Sequence, residues 1–237
     1  AKNLLIVTFN LLLTVLVIIW ESCGHHYEES FLNQMTAPDR SQAEFLVELI
    51  HQLAEGGELP ATSGNFSFKS LEDPNKIYLS ESGVDKERFS IENLVPVTTK
   101  GELIEAGRKV SDESALHLMT YRAFEAGCIL HGHPVEALHF ADLYPNKTEI
   151  KISGLELVKA FAGNTDHNDS VIIPFYKNTQ DLNTLATQIA GDWKKGHIFA
   201  FIIRGHGLTC WGNDVAEAKK HWQALTYLMD YELAKGL

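Results

Sequence analysis

Cysteine, methionine and proline are scarce in this 237-residue chain, at three, three and seven residues. The cysteines, Cys23, Cys128 and Cys210, are odd in number and cannot close a disulfide framework, so a reducing, cytoplasmic setting is expected. Lysine and arginine form no run. The 20 basic and 31 acidic residues leave a formal net charge of −11, which repels nucleic acid and anionic lipid and excludes polyanion-binding roles. Internal repeats, low-complexity tracts and linkers are also missing. The remaining composition, 45% hydrophobic and 22% charged, belongs to a globular protein and excludes disordered, collagen-like and coiled-coil classes.

One long hydrophobic run is present, Leu4 to Trp20, interrupted only by Thr8, Asn10 and Thr14. As a helix it would reach about 26 Å at 1.5 Å per residue, slightly short of the roughly 30 Å hydrocarbon layer. No small residue stands at a suitable distance before a cleavage point near Cys23. Three readings apply: a targeting segment, an element packed on the domain, or translation from upstream of a start at Met35, the first methionine. Residues 1–34 are therefore expected to be an apolar extension and residues 35–237 a single catalytic domain. Membrane contact is expected only if that extension is a genuine part of the protein.

From Arg40, the apolar residues Phe45, Leu46, Leu49, Ile50 and Leu53 recur at helical spacing, and Gly56-Gly57 supplies the stop. Extended runs at Asn65 to Lys69, Lys76 to Ser80 and Leu94 to Thr98 are separated by turn-forming residues, which predicts neighbouring antiparallel strands. A helix capped by Ser111 is expected to run to about Glu125, followed by a buried strand from Cys128. Downstream, the pattern predicts a short helix ending near Tyr144, a strand at Glu149 to Ile152, a helix from Gly154 to Ala162 and a strand at Val171 to Tyr176. A helix over Asp181 to Trp193, a buried strand His197 to Arg204, a loop at Gly205-His206-Gly207 and a closing helix Asp214 to Lys235 complete the chain. Grouped strands with interspersed helices predict a mixed or antiparallel sheet covered by helices.

The chemistry-bearing residues are histidines and carboxylates. His131 and His133 follow the apolar run Cys128-Ile129-Leu130, and strand alternation places them on one face. His206 lies between two glycines after another buried strand. Three neutral imidazoles would leave a zinc-like ion one open position, the pattern of a catalytic site. Spacing alone leaves open whether they share an ion or stand apart. His51, His117, His139, His167, His197 and His221 read as surface or helix-face residues without a role. Glu156 is either a base or half of a capping box with Ser153. Glu113, beside Ser111, is either a functional carboxylate or a favourable charge at a helix start, where backbone N–H groups also suit phosphate. The turns around Gly64-Asn65 and Ser82-Gly83 expose hydroxyls, amides and backbone suited to an anion, without the GK[ST] of a P-loop.

Taken in order, PATSGNFSFK, SGVDK, SDES, ILHGHP, LELVKAFAG, PFYKNTQDL and RGHGLTCWG resemble the class II aldolase/adducin family, over about Pro60 to Glu232. PATSGNFS and GHGLTCWG are similar to its dehydratase branch rather than to its sugar-phosphate aldolases. The resemblance implies a three-layer α/β/α sandwich around a central, mainly antiparallel sheet, usually assembled as a tetramer with sites near subunit interfaces. It implies one Zn²⁺ per subunit on His131, His133 and His206, with Gly64, Asn65, Ser82, Gly83 and Ser111 at phosphate-binding positions. Glu156 matches the proton donor and acceptor of the dehydratases, and Glu113 the catalytic carboxylate of the aldolases. The implied activity is dehydration of a sugar phosphate. Aldol cleavage or epimerisation on the same metal is the alternative, and a non-catalytic adducin-like module a second one. The chain departs from relatives at Gly132 and Pro134, where HTHS is usual, at Lys69 in place of Arg, and at Val110 in place of Pro.

Overall fold

Eight strands form one sheet, in the order β3-β2-β1-β4-β8-β7-β6-β5, in a computed structural model that describes residues 35–192 and 198–235. The apolar run, Trp193 and His197 lie outside the described residues. Among the described residues, no helix is long and apolar enough to cross a membrane. The strands are β1 (Asn65–Lys69), β2 (Lys76–Ser80), β3 (Leu94–Thr98), β4 (Cys128–Gly132), β5 (Glu149–Ser153), β6 (Ser170–Tyr176), β7 (Ala200–Ile203) and β8 (Gly207–Gly212). Every neighbouring pair is antiparallel except β6 and β7, which run parallel. The helices are α1 (Ala37–Glu55), α2 (Ser114–Ala123), α3 (Val135–Leu143), α4 (Leu182–Asp192) and α5 (Val215–Lys235).

Strand alternation sends side chains to two separate cores, which makes the molecule three-layered. In β4, Cys128 and Leu130 join Leu46, Ile50, Phe140, Trp222 and Leu225 of α1, α3 and α5. Ile129, between them in sequence, joins Leu116, Leu185, Ile189, Phe201 and Trp211 on the opposite face, beneath α2 and α4. Each of the large side chains buried this way contributes about 1.5–3 kcal/mol. Helix α1 starts where Thr36 accepts a hydrogen bond from the Asp39 amide, and Pro38 suits the first turn.

Three local expectations are corrected. Gly207, expected in a loop, opens a fully buried strand, Gly207–Gly212, where the sequence pattern predicts no element, and this strand fills the gap between β4 and β7. Its six residues carry two glycines and no alternating polar face, so nothing local distinguishes them from a turn. The helix expected from Gly154 is a 3₁₀ turn, Glu156–Ala160, whose preceding residue Leu155 makes no side-chain cap. The capping box between Ser153 and Glu156 is thus not formed. Helix α2 begins at Ser114, after a turn in which Ser111 accepts from the Ser114 and Glu113 amides, so Ser111 is not its cap.

Gly127 shows how tightly the central strands close. Its amide donates to the Gly212 carbonyl and its carbonyl accepts from Lys69, both at 2.8 Å, and a Cβ there would stand 1.9 Å from the Asn213 carbonyl oxygen. Gly127→Ala is expected to cost about 1–3 kcal/mol. A urea midpoint equal to that of the unaltered protein would show that this backbone approach is not a constraint.

Candidate active site

The clustered side chains meet at one end of the sheet. Asn65 pairs with His131 in the β1–β4 register, and Gly132 pairs with Leu208 in the β4–β8 register. The end of β4 and the starts of β1 and β8 therefore lie together. Gly205, with φ of +65°, turns the chain between β7 and β8 and presents His206 there. Beyond the end of β4, the His133 amide donates to the Glu58 carbonyl at 2.9 Å. The residue between the two histidines has no room for a side chain: a Cβ on Gly132 would lie 2.8 Å from Leu59 and 3.0 Å from Trp222.

Among the described residues, His131, His133 and His206 form a group whose ligand atoms all lie within 4.8 Å of one another. Their ring centroids are 5.0–5.1 Å apart in each pair. His131 is buried and its Nδ1 lies 3.0 Å from the Thr209 hydroxyl oxygen, leaving Nε2 to face the cluster. The donor set fits a divalent ion. Three imidazoles converge, one is already oriented by a hydroxyl, and burial keeps two of them in the neutral form that binds metal. Burial pushes His131 down to about 3, with the nearby charge of Glu113 opposing the shift. Burial also lowers His133, helped by His206.

Glu113 closes the group. Its Oε2 is 3.2 Å from His131 Nε2 and 2.6 Å from Asn65 Nδ2, and its Oε1 is 3.0 Å from His206 Nε2. Burial raises its pKa, but the hydrogen bonds from His206 and Asn65 outweigh it and hold the carboxyl well below the usual range. Behind it runs a buried relay: Asn65 Oδ1 to His117 Nε2 at 2.7 Å, His117 Nδ1 to Ser67 Oγ at 2.7 Å, and Ser67 Oγ to the Tyr121 hydroxyl at 2.7 Å. Its polarity follows from valence. Asn65 Oδ1 only accepts, so His117 Nε2 carries the proton, and burial pushes this histidine down to about 4, which keeps it neutral. His117 Nδ1 must then accept from Ser67, which accepts in turn from Tyr121. The result is an Asn65 amide aimed at Glu113.

The expected phosphate positions also come together. Gly64, Asn65, Ser82, Gly83 and Ser111 line a cleft of about 140 Å³ that Glu113 and His133 share. An adjoining compartment of about 220 Å³ shares Ser82, Ser111 and Glu113 and adds Asn178, Gln180 and His206. Gly64, with φ of +83°, is required, because a Cβ would lie 2.7 Å from Leu59 and 3.1 Å from the His131 carbonyl oxygen. A larger recess of about 1440 Å³ beside α2 and α4, lined by Leu118, Met119, Phe124 and Trp211, contains none of the clustered histidines. The small polar cleft is where the chemistry-bearing side chains meet.

Glu156 is not brought into this cluster. It is 74% exposed and ion-paired with Lys159. It follows the end of β5, level with the start of β6 and hence of β7, whereas His206 follows the end of β7. Within one chain it sits at the opposite end of the sheet.

A model of the class II aldolase and adducin N-terminal domain matches residues 44–233. The chain belongs to the class II aldolase/adducin family. Within the family it is 39% identical over 197 residues to methylthioribulose-1-phosphate dehydratase of Enterobacter sp. (strain 638), covering 82% of this chain and 95% of the relative. The dehydratase of the same name from Cronobacter sakazakii (strain ATCC BAA-894) is 39% identical over 83% of this chain and 96% of its own length. Among solved structures, L-fuculose-1-phosphate aldolase from Thermus thermophilus superposes with a TM-score of 0.65 at 23% identity, over 84% of this chain and 99% of that one. A sugar-phosphate aldolase from Thermotoga maritima gives 0.63 at 18% identity, over 82% and 94%. These two show that the family fold is shared.

His117, expected to be a surface or helix-face residue without a role, is instead buried within the relay, and Ser67, Tyr121 and Thr209 carry no expectation from the sequence. The available signal was periodicity: 65 and 67 alternate onto one face of β1, while 113, 117 and 121 recur every fourth residue at α2. Two measurements follow. Thr209→Val is expected to weaken divalent-ion affinity on the order of 10- to 100-fold in chelator competition, and unchanged affinity would remove its orienting role. His117 in the unfolded chain takes up a proton near pH 6.5, above its folded value of about 4. Its contribution is therefore fully present above pH 6.5 and lost as pH falls toward 4. Between those limits the unaltered protein should lose on the order of 3 kcal/mol more stability than His117→Gln. Parallel pH dependences of the two urea midpoints would contradict this.

Proposed function

We propose that this protein removes water from 5-methylthioribulose 1-phosphate, giving 2,3-diketo-5-methylthiopentyl 1-phosphate, a step of methionine salvage. The observation that carries the chemistry is Glu113, an ionised carboxylate wedged between His131 and His206 at the mouth of a hydroxyl-lined cleft. The choice of substrate rests on 39% identity across nearly the full length of relatives that bear the dehydratase name.

Zinc, one ion per subunit on His131, His133 and His206, is the proposed cofactor; bound there, it would polarise the ketone oxygen and acidify the adjacent C–H. Glu113 accepts the C3 proton, and the electron pair released from that bond expels the C4 hydroxyl. The relay through Asn65 keeps the carboxylate aimed and ionised for this step. Gly64, Asn65, Ser82, Gly83 and Ser111 hold the phosphate through backbone N–H groups, an amide and hydroxyls. The expelled hydroxyl needs a proton to leave as water. We assign that donor role to Glu156 acting from a neighbouring subunit of a homotetramer, which suits a residue exposed at the far end of its own sheet. The resulting enol relaxes to the 2,3-diketone.

A second reading, aldol cleavage or epimerisation of a sugar phosphate, is favoured by the same seating of Glu113, since aldolases of this family use a carboxylate at this position. Substrate assays separate the two. Metal-loaded protein is expected to turn over methylthioribulose 1-phosphate and to leave L-fuculose 1-phosphate intact. Glu113→Gln should lower kcat at least about 100-fold. Glu156→Gln should reduce turnover as well, and restoration by mixing inactive Glu113→Gln and Glu156→Gln chains would locate the two groups on different subunits. Retro-aldol cleavage of L-fuculose 1-phosphate with no dehydration of methylthioribulose 1-phosphate would reject the leading reading.

A further inference from the structure

Lys86 stands out among the charged residues. It is 2% exposed, and among the described residues it is the one lysine or arginine that is buried. Its Nζ donates to the Thr62 carbonyl at 3.3 Å and the Val84 carbonyl at 2.9 Å. No carboxylate pairs with it among the described residues. Those two carbonyls belong to the turns that carry Gly64-Asn65 and Ser82-Gly83, and Lys86 lines the same cleft as these residues, Ser111 and Glu113. An ammonium group is strongly hydrated, and burying one without a directly paired carboxylate carries a free-energy penalty that the charge of Asp85 and the Phe89 ring, 5.9 Å away, offset only in part. Neutral carbonyls satisfy two of its three hydrogens and supply no net charge.

The cleft gives the reason to carry that penalty. Its other polar members are hydroxyls, an amide, glycine backbone and the His133 imidazole, together with two carboxylates, Glu113 and Glu81, of which Glu81 is paired with Arg108, so Lys86 is the one cationic side chain in the lining. A phosphate monoester would add close to two further negative charges at neutral pH. Gly83, with φ of +77°, has open space where a Cβ would stand, so the backbone beside Lys86 is accessible from the cleft. We propose that Lys86 is the cationic member of a phosphate-monoester subsite, binding the ester oxygens with its remaining hydrogen while its other two tie the flanking turns together. This rests on, and deepens, the reading of the cleft as the seat of a phosphorylated substrate. Burial lowers the Lys86 pKa against the opposing charge of Asp85, and an incoming anion would oppose that shift further.

The test uses the full chain and inorganic phosphate as the probe, followed by calorimetry and by the phosphate-dependent rise in Tm. Lys86→Gln is expected to weaken phosphate binding on the order of 10- to 100-fold. A folded Lys86→Gln protein that binds phosphate within twofold of the unaltered one overturns the proposal and leaves Lys86 as a structural tie. If that variant does not fold, the decision passes to the ¹⁵Nζ resonance of Lys86 in labelled, unaltered protein. Movement on phosphate addition supports the proposal, and a fixed resonance in protein that binds phosphate overturns it. Absence of phosphate binding by the unaltered protein also overturns it. Turnover of methylthioribulose 1-phosphate is assayed separately. Phosphate binding through Lys86 without turnover rejects the dehydratase reading alone, whereas turnover with an inert Lys86 rejects this proposal alone.

Discussion

The hydrogen bond from Asn65 to Glu113 is the contact on which the rest of the site depends. It joins a strand with a two-residue repeat to a helix with a stripe every fourth residue. Asn65 and Ser67 on β1 meet Glu113, His117 and Tyr121 at α2 along one seam. Lys69, the next residue on that face of the strand, lies 4.9 Å from the Tyr121 ring. Every polar atom in the seam has a defined donor or acceptor role, so one arrangement satisfies all of them. A half-satisfied version would leave buried polar atoms unpaired at about 1–3 kcal/mol each. That cost sets the helix in register and places Glu113, the residue just before it, against the histidines.

The second constraint is steric. The central strands approach closely enough that several positions exclude any side chain. A Cβ on Gly207 would lie 2.3 Å from the Gly132 carbonyl oxygen and 2.8 Å from the His133 ring. These glycines bring two separate parts of the chain to one point at the end of the sheet, where backbone and imidazole share a small volume. Charge is arranged there with equal economy: burial keeps His131 and His133 neutral, while hydrogen bonds keep Glu113 ionised. Electron-pair donors and an anionic carboxylate thus coexist in one pocket, as a metal-assisted proton transfer requires.

Much of this is legible in the amino-acid sequence. The bounds of β1, β2 and β3 follow from extended runs separated by turn residues, and α1 from its apolar stripe. The His131, His133 and His206 group was read from their places at strand ends, with the resemblance deciding that they share a site. Strand β8 was missed because a fully buried strand flanked by glycines carries no alternation. The start of α2 was misplaced because Ser111 uses its oxygens in a turn rather than on the helix.

The sequence by itself determined most of the element types, the two-sided burial of the sheet and the identity of the metal-ligand candidates, since each depends on short-range periodicity and side-chain chemistry. Only the tertiary structure decided which carboxylate faces them. Glu113 and Glu156 are equally plausible in the linear pattern, each near the start of a helical stretch. Strand direction separates them: β5 terminates at the end of the sheet opposite to the one where β4 terminates and β8 begins. Pairing direction is a property of strands distant in the chain, so no local signal encodes it. The same holds for Lys86, whose burial beside the cleft depends on two turns that only the folded chain brings together.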